Sequence, residues 1–221
     1  SIEKFEKKYD VCIPNFIITG GDPFARNDTF DFLSVLNAKK KNIIILGIPE
    51  QVTPSNIRRM HEHGVKMYQV SLDGAKQNHD LMRGQGSFDK TIAALHLLNR
   101  SPIHSAIMFT LTPDNANDMF PLIDYLDEIG IKSHFTFDFV VYEGNATEYN
   151  KEYITPDFAE NLFKTYLRKK AELICRDSQI SLINKVKLLN VLENEFTQKD
   201  IQEFEKFSSC GGCYNGFSSI S

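Results

Sequence analysis

An α/β fold with a parallel sheet is the architecture this sequence predicts, and three observations predict it. Short apolar runs alternate with stretches of helical periodicity. Several of the runs are apolar throughout rather than at every second position, the pattern of strands covered on both faces. The runs start about 25 to 37 residues apart, the size of a βα unit. Repeated βα units build a parallel sheet, either doubly wound or wrapped as a barrel, and periodicity does not separate those two closures.

The elements follow in order. Ile2, Phe5 and Tyr9 share one face of a first helix. The first strand is Asn15-Phe16-Ile17-Ile18-Thr19, and Phe32, Leu33 and Leu36 mark the helix after it. Asn42-Ile43-Ile44-Ile45-Leu46 is the second strand. Its helix starts at Pro54-Ser55, carries Ile57, Met60 and His61 on one face, and stops at Gly64. Met67-Tyr68-Gln69-Val70-Ser71 is the third strand. The helix after it starts at Ser87, with Phe88, Ile92, Leu95 and Leu98 inward. Ser105-Ala106-Ile107-Met108-Phe109-Thr110 is the fourth strand. A helix starting near Asp118 and Pro121 buries Leu122, Ile123, Leu126 and Ile129, and Gly130 ends it. The fifth strand runs from His134 to Val140. Residues 156–207 read as helical throughout, with Phe158, Leu162, Phe163, Tyr166 and Leu167 on spacings of three and four. No further strand is evident before Phe217-Ser218-Ser219-Ile220.

Composition narrows the class of function. The 221 residues hold 25 Lys+Arg against 29 Asp+Glu, a net charge of −4, so there is no electrostatic case for nucleic acid. Apolar content of 42% excludes a chain that is disordered as a whole. No apolar run is long enough for a transmembrane helix, and no signal peptide is visible, so no membrane association is expected. The four cysteines, Cys12, Cys175, Cys210 and Cys213, are too sparse for a disulfide scaffold, which favours the cytoplasm. Cys12 and Cys175 read as buried or inert thiols. The absence of an initial Met and the strand-like Ser219-Ile220-Ser221 suggest that both ends are cut from something longer.

In parallel α/β folds ligands sit at the carboxyl ends of the strands. The first strand is followed by Gly20-Gly21-Asp22-Pro23, the third by Ser71-Leu72-Asp73-Gly74, and the fifth by Tyr142-Glu143-Gly144-Asn145. Paired glycines let the backbone approach a ligand, and Asp22 adds a negative charge, together suited to an ammonium. Ser71 with Arg83 suits a carboxylate. A small molecule with both groups is an amino acid or a derivative of one. Blander readings stand beside these. Gly20-Gly21-Asp22-Pro23 is equally a turn, Asp73 before Gly74 is a turn residue as readily as a catalytic carboxylate, and Arg83 alone reads as a solvated charge. Gly84-Gln85-Gly86 lacks the context of a phosphate loop. Cys210-Gly-Gly-Cys213 is half a zinc motif without a second half. His61, His63 and His79 read as surface histidines.

Taken jointly and in order, these segments resemble the radical S-adenosylmethionine superfamily, specifically its SPASM-type peptide- and protein-modifying maturases. Phe16 to Phe24 is similar to the family's Gly-Gly-Glu-Pro strand end, with Asp22 in place of Glu. Gln69 to Gly74, followed by His79-Asp80, Arg83-Gly84 and Gly86-Ser87-Phe88, resembles a stretch typical of SPASM enzymes and anaerobic sulfatase maturases. Cys213 to Ile220 resembles the opening of a SPASM domain. The resemblance covers most of residues 10–145 and the last dozen.

It implies a partial (β/α)6 TIM-like barrel lacking its first strand over 1–150, a helical region over 151–207, and the start of an auxiliary-cluster domain over 208–221. It implies S-adenosylmethionine and a [4Fe–4S] cluster as cofactors, with a 5′-deoxyadenosyl radical abstracting hydrogen from a peptide or protein substrate. An electron donor such as flavodoxin or ferredoxin is implied as partner. In the roles carried over, Gly20, Gly21 and Asp22 hold the methionyl amino group. Ser71 and Arg83 hold the carboxylate or ribose, and Val140 packs on adenine. Cys213, with Cys210 as a possible second ligand, binds an auxiliary [4Fe–4S] cluster. The family's Cys-x-x-x-Cys-x-x-Cys loop does not occur in this sequence, so the chain reads as an internal piece that is inactive in isolation. Two alternatives stand: an anaerobic sulfatase-maturating enzyme, and a catalytically silent fragment or assembly domain.

Overall fold

The structure, a computed structural model, describes residues 2–140 and 155–183. Seven α-helices and six strands are described: α1 Ile2–Tyr9, β1 Asn15–Ile18, α2 Thr29–Ala38, β2 Asn42–Leu46, α3 Pro54–Glu62, β3 Val65–Ser71, α4 Lys76–Arg83, α5 Ser87–Asn99, β4 His104–Leu111, α6 Met119–Glu128, β5 Ser133–Phe139, α7 Pro156–Cys175 and β6 Ile180–Leu182. The chain divides into two compact units. Among the described residues, one comprises 2–70 and 93–105, and the other 71–92, 106–140 and 155–183.

In the first unit β1 pairs with β2 and β2 with β3, all parallel, with Asn15 opposite Asn42 and Ile45 opposite Tyr68. The apolar run of β2 explains its central place, since Ile43, Ile44 and Ile45 are all buried. Thr53 caps α3, accepting from the Asn56 N–H at 3.1 Å, and Pro54 opens the helix where its missing N–H costs nothing. Leu33 and Leu36 of α2 and Ile57 and Met60 of α3 are buried, whereas Phe32 faces solvent. Phe32 departs from the expected inward face because one helical face holds Leu33 and Leu36 but not the residue beside them. Helix α1 buries none of its residues.

In the second unit β4 pairs with β5 and β5 with β6, again parallel, with Ala106 opposite His134 and Phe135 opposite Leu182. Helix α7 docks through aromatics. The Phe137 ring lies 5.0 Å from Tyr166 and 5.8 Å from Phe163, and the Tyr166 hydroxyl is within 3.0 Å of the Phe135 carbonyl. The expectation of helix throughout 156–207 fails at Ile180–Leu182, where a three-residue strand extends the sheet. So short a run carries no readable period, and its pairing with β5 supplies the stability its length lacks. The segments at Tyr142–Asn145 and Phe217–Ile220 lie outside the described residues.

Candidate cofactor-binding site

In the first unit the site residues follow β1. Gly20 and Gly21 hold φ of +101° and +55°, the left-handed half of backbone space where a side chain is strained. A Cβ at either would meet nothing within 4 Å. It is therefore backbone conformation, not crowding, that selects glycine here, and both residues stand exposed. The turn reading is correct, and the turn leaves main-chain polar groups open to a ligand. Asp22 is held from two sides. Its Oδ1 accepts from the Phe24 N–H at 2.9 Å, capping the short turn Pro23–Ala25, and its Oδ2 accepts from Gln51 Nε2 at 2.6 Å. Gln51 is fixed in turn by Asn56, which donates to its carbonyl at 3.0 Å and to its side-chain oxygen at 3.1 Å. Buried Tyr68 donates to the Ile48 carbonyl at 2.9 Å. Its phenol is pushed well above its ordinary value, first by burial and then by the charges of Asp22 and Glu50.

In the second unit Ser71 ends β3, half-buried, and the Leu72 N–H donates to the Met108 carbonyl at 3.0 Å. Asp73 comes next in the chain and is the centre of the arrangement. It is fully buried, and both carboxylate oxygens are used: Oδ1 accepts from the Thr110 N–H at 2.7 Å and Oδ2 from Arg83 Nε at 2.6 Å. Its backbone is also fixed. Its N–H donates to His79 Nδ1 at 3.0 Å, and its carbonyl accepts from Asn115 Nδ2 at 2.8 Å. The turn reading of Asp73 is thus too weak, since a carboxylate without solvent must be paired.

Arg83 is the last residue of α4, a helix the hydrophobic pattern did not reveal. It is not the free solvated charge that its sequence position suggests, because it carries the ion pair to Asp73. Asp80 staples the chain beyond the helix, accepting from the N–H groups of Phe88 at 2.8 Å and Gly86 at 3.0 Å. Those donors, the Phe88 N–H foremost, hold the Asp80 carboxyl below the usual carboxylate range. Val140 follows β5, half-buried, its N–H donating to the Leu111 carbonyl at 2.9 Å.

Two expectations are corrected. His79 is buried, not at the surface, and accepting the Asp73 N–H places the proton of its neutral ring on Nε2. Burial pushes its pKa down. Cys12 and Cys175 are exposed, not buried. Sequence reasoning missed Asn115 as a structural hub, and nothing in Thr112-Pro113-Asp114-Asn115 beyond turn composition signals it. Cys210 and Cys213 lie outside the described residues.

Among the described residues no three His, Cys, Asp or Glu side chains are placed to hold a metal ion. The described residues therefore do not fit an iron–sulfur cluster. In the first unit they set open, positive-φ backbone beside a carboxylate, and in the second a serine near a held guanidinium.

These features define an α/β protein whose candidate ligand groups stand at the carboxyl ends of parallel strands. The sequence profile of the Radical SAM superfamily matches residues 2–126, more than half of the chain, and the chain belongs to that superfamily. The family implies S-adenosylmethionine and a [4Fe–4S] cluster. Among curated relatives, AdoMet-dependent heme synthase of Nitratidesulfovibrio vulgaris is 29% identical over 55% of this chain and 34% of its own length. The mycofactocin maturase MftC of Mycolicibacterium smegmatis is 29% identical over 50% of this chain and 27% of its own. The chain thus spans about a third of the length of the curated relatives it matches. Among solved structures, Streptococcus suis SuiB superposes with a TM-score of 0.67 at 16% identity, covering 91% of this chain and 47% of that one. A structure of anSMEcpe with bound AdoMet gives 0.60 at 20% identity, covering 76% and 49%. These likenesses show the fold, that of the partial (β/α)6 barrel the sequence resemblance implied.

Proposed function

We propose that this chain is the cofactor-cradling part of a radical S-adenosylmethionine enzyme that acts on a peptide or protein side chain. The observation that carries the reading is the ion pair of buried Asp73, two residues after Ser71 at the end of β3, with the half-exposed Arg83. It presents a fixed cation where a parallel α/β fold binds its ligand. Arg83 and Ser71 bind the methionyl carboxylate. The exposed backbone of Gly20 and Gly21 receives the ammonium, with Asp22 as its counter-charge, and Val140 packs against adenine. Bound there, S-adenosylmethionine would, on taking one electron from a reduced cluster held outside the described residues, give methionine and the 5′-deoxyadenosyl radical, which would take a hydrogen atom from substrate to become 5′-deoxyadenosine. Orientation and charge complementarity are what these residues contribute.

The cluster's thiolates are assigned to segments outside this chain, and Cys213, with Cys210, to an auxiliary cluster. The division into a barrel over 1–150, a helical region over 151–207 and an auxiliary-cluster domain from 208 belongs to the same reading. So do a flavodoxin- or ferredoxin-type electron donor and a cytoplasmic site. No described helix is long and apolar enough to cross a membrane.

A peptide substrate is supported by the likeness to a maturase, MftC, and by a TM-score of 0.57 to anSMEcpe with AdoMet and a Kp18Cys peptide. A tetrapyrrole substrate is the second reading, favoured by the heme synthases among the relatives. Anaerobic turnover by the natural full-length enzyme separates them. Deuterium from a labelled peptide encoded beside its gene should appear in 5′-deoxyadenosine. Label arriving instead from an iron porphyrin supports the second reading and overturns the first.

A further inference from the structure

Resting on the assignment of Arg83 to the cofactor carboxylate, we infer that Asp73 is a positioning residue that fixes which edge of the Arg83 guanidinium meets that carboxylate.

A guanidinium carries five N–H donors on a rigid plane, and a carboxylate can bind it in a two-pronged fork only along one edge at a time. Asp73 occupies the Nε position, at 2.6 Å. The two terminal nitrogens, Nη1 and Nη2, have no partner among the described residues. Arg83 is 42% exposed whereas Asp73 is 0% exposed, so the buried end of the pair is saturated and the outer edge is open. That outer edge is the fork a second carboxylate requires.

The holder is itself immobile. Asp73 Oδ1 is tied to the Thr110 N–H of β4 at 2.7 Å. Its main chain is pinned on both sides, by His79 Nδ1 at 3.0 Å and by Asn115 Nδ2 at 2.8 Å. Asn115 also donates to the Thr110 carbonyl at 2.8 Å and accepts from the Thr112 N–H at 2.7 Å. The backbone after β4 and the side chain of Asp73 therefore move as one piece. Arg83 is tethered independently at its own end, because Asp80 of the same helix fixes Gly86 and Phe88 just beyond it.

Asparagine cannot replace Asp73 in this role. Both oxygens of Asp73 accept from N–H donors, and an amide offers one acceptor and one donor. In Asp73→Asn an NH2 must face either the Thr110 N–H or Arg83, and the latter is displaced. Lysine cannot replace Arg83, since one ammonium can pair with Asp73 but lacks a second, planar edge.

The test measures equilibrium binding to the anaerobically purified full-length enzyme, with two probes: S-adenosylmethionine and its decarboxylated analogue. Circular dichroism confirms folding of each variant. Asp73→Asn and Arg83→Lys should each weaken S-adenosylmethionine binding at least about tenfold, and change binding of the decarboxylated analogue by less than about twofold. Adding Asp73→Asn to Arg83→Ala should cost less than about twofold more, because the residue being positioned is gone. Equal loss for both probes means Asp73 only supports the fold, which overturns the inference. Weakening by Arg83→Ala alongside wild-type affinity in Asp73→Asn and Arg83→Lys overturns it too, while the carboxylate reading survives. Wild-type affinity in Arg83→Ala overturns that reading itself, and this inference with it. Should Asp73→Asn fail to fold, Arg83→Lys, which keeps the buried charge paired, decides alone.

Discussion

At the scale of single residues, Arg83 rests on buried polar groups that hydrogen-bond one another, with Asp73 joined to both His79 and Asn115. Asn115 has no exposed surface, and its side chain makes four hydrogen bonds, to the Asp73 and Thr110 carbonyls, to the Met82 sulfur and from the Thr112 N–H. Each such bond is worth about 1 kcal/mol net, and orphaning a buried partner costs more. Asn115→Ala should lower the free energy of unfolding by roughly 3 kcal/mol, read from urea denaturation, and weaken S-adenosylmethionine binding in step. A change under about 1 kcal/mol would contradict its place in the network. None of this is written in the hydrophobic pattern. Asp73, His79 and Asn115 come from three separate stretches, and their polar character pointed to turns and surfaces. Only tertiary enclosure turns them into a hub. Gly20 and Gly21 differ, because the need for positive φ is a backbone property that the residue type announces.

At the scale of elements, legibility follows burial. Strands β1, β2 and β4 were readable from near-continuous apolar runs, whereas β3 and β5, which carry polar residues such as Gln69 and Asp138, were readable from apolar residues spaced between them. Helix α4 was not, because Lys76-Gln77-Asn78-His79-Asp80 has no apolar face. The contacts of His79 and Asp80, rather than its own propensity, hold it. Helix α7 was readable from its aromatic spacing, yet it contains a surprise. Lys170 is buried, its Nζ has no hydrogen-bond partner among the described residues, and burial pushes its pKa down to about 8. A lysine whose folded pKa lies below its ordinary value destabilises the fold wherever both states are protonated, so the penalty is full below pH 8. It is relieved as pH rises from 8 towards 10.5, where the unfolded chain still holds the proton and the folded one does not. Lys170→Met should therefore stabilise the protein by roughly 2–3 kcal/mol at pH 7, with the gain shrinking above pH 8. A constant difference between pH 7 and pH 10 would show that the amine is paired.

At the scale of the whole molecule, each of the two units carries its own set of candidate ligand groups. The first offers backbone and a carboxylate at the end of β1, the second a serine and a tethered arginine at the end of β3. The order of these groups along the chain was legible as a family resemblance, and the family profile over residues 2–126 agrees. What bonds each site residue makes was not legible, because spacing says nothing about which donor faces which acceptor. The substrate was not legible either, and this chain spans only about a third of the length of the curated relatives it matches. The central claim is that Arg83 binds the carboxylate of S-adenosylmethionine. It is tested most directly by reductive cleavage in the full-length enzyme, counted as 5′-deoxyadenosine formed under limiting S-adenosylmethionine. Arg83→Ala should lower that yield at least about tenfold, corresponding to loss of one charge-assisted contact. Cleavage at the wild-type rate under the same limiting concentration would contradict the assignment.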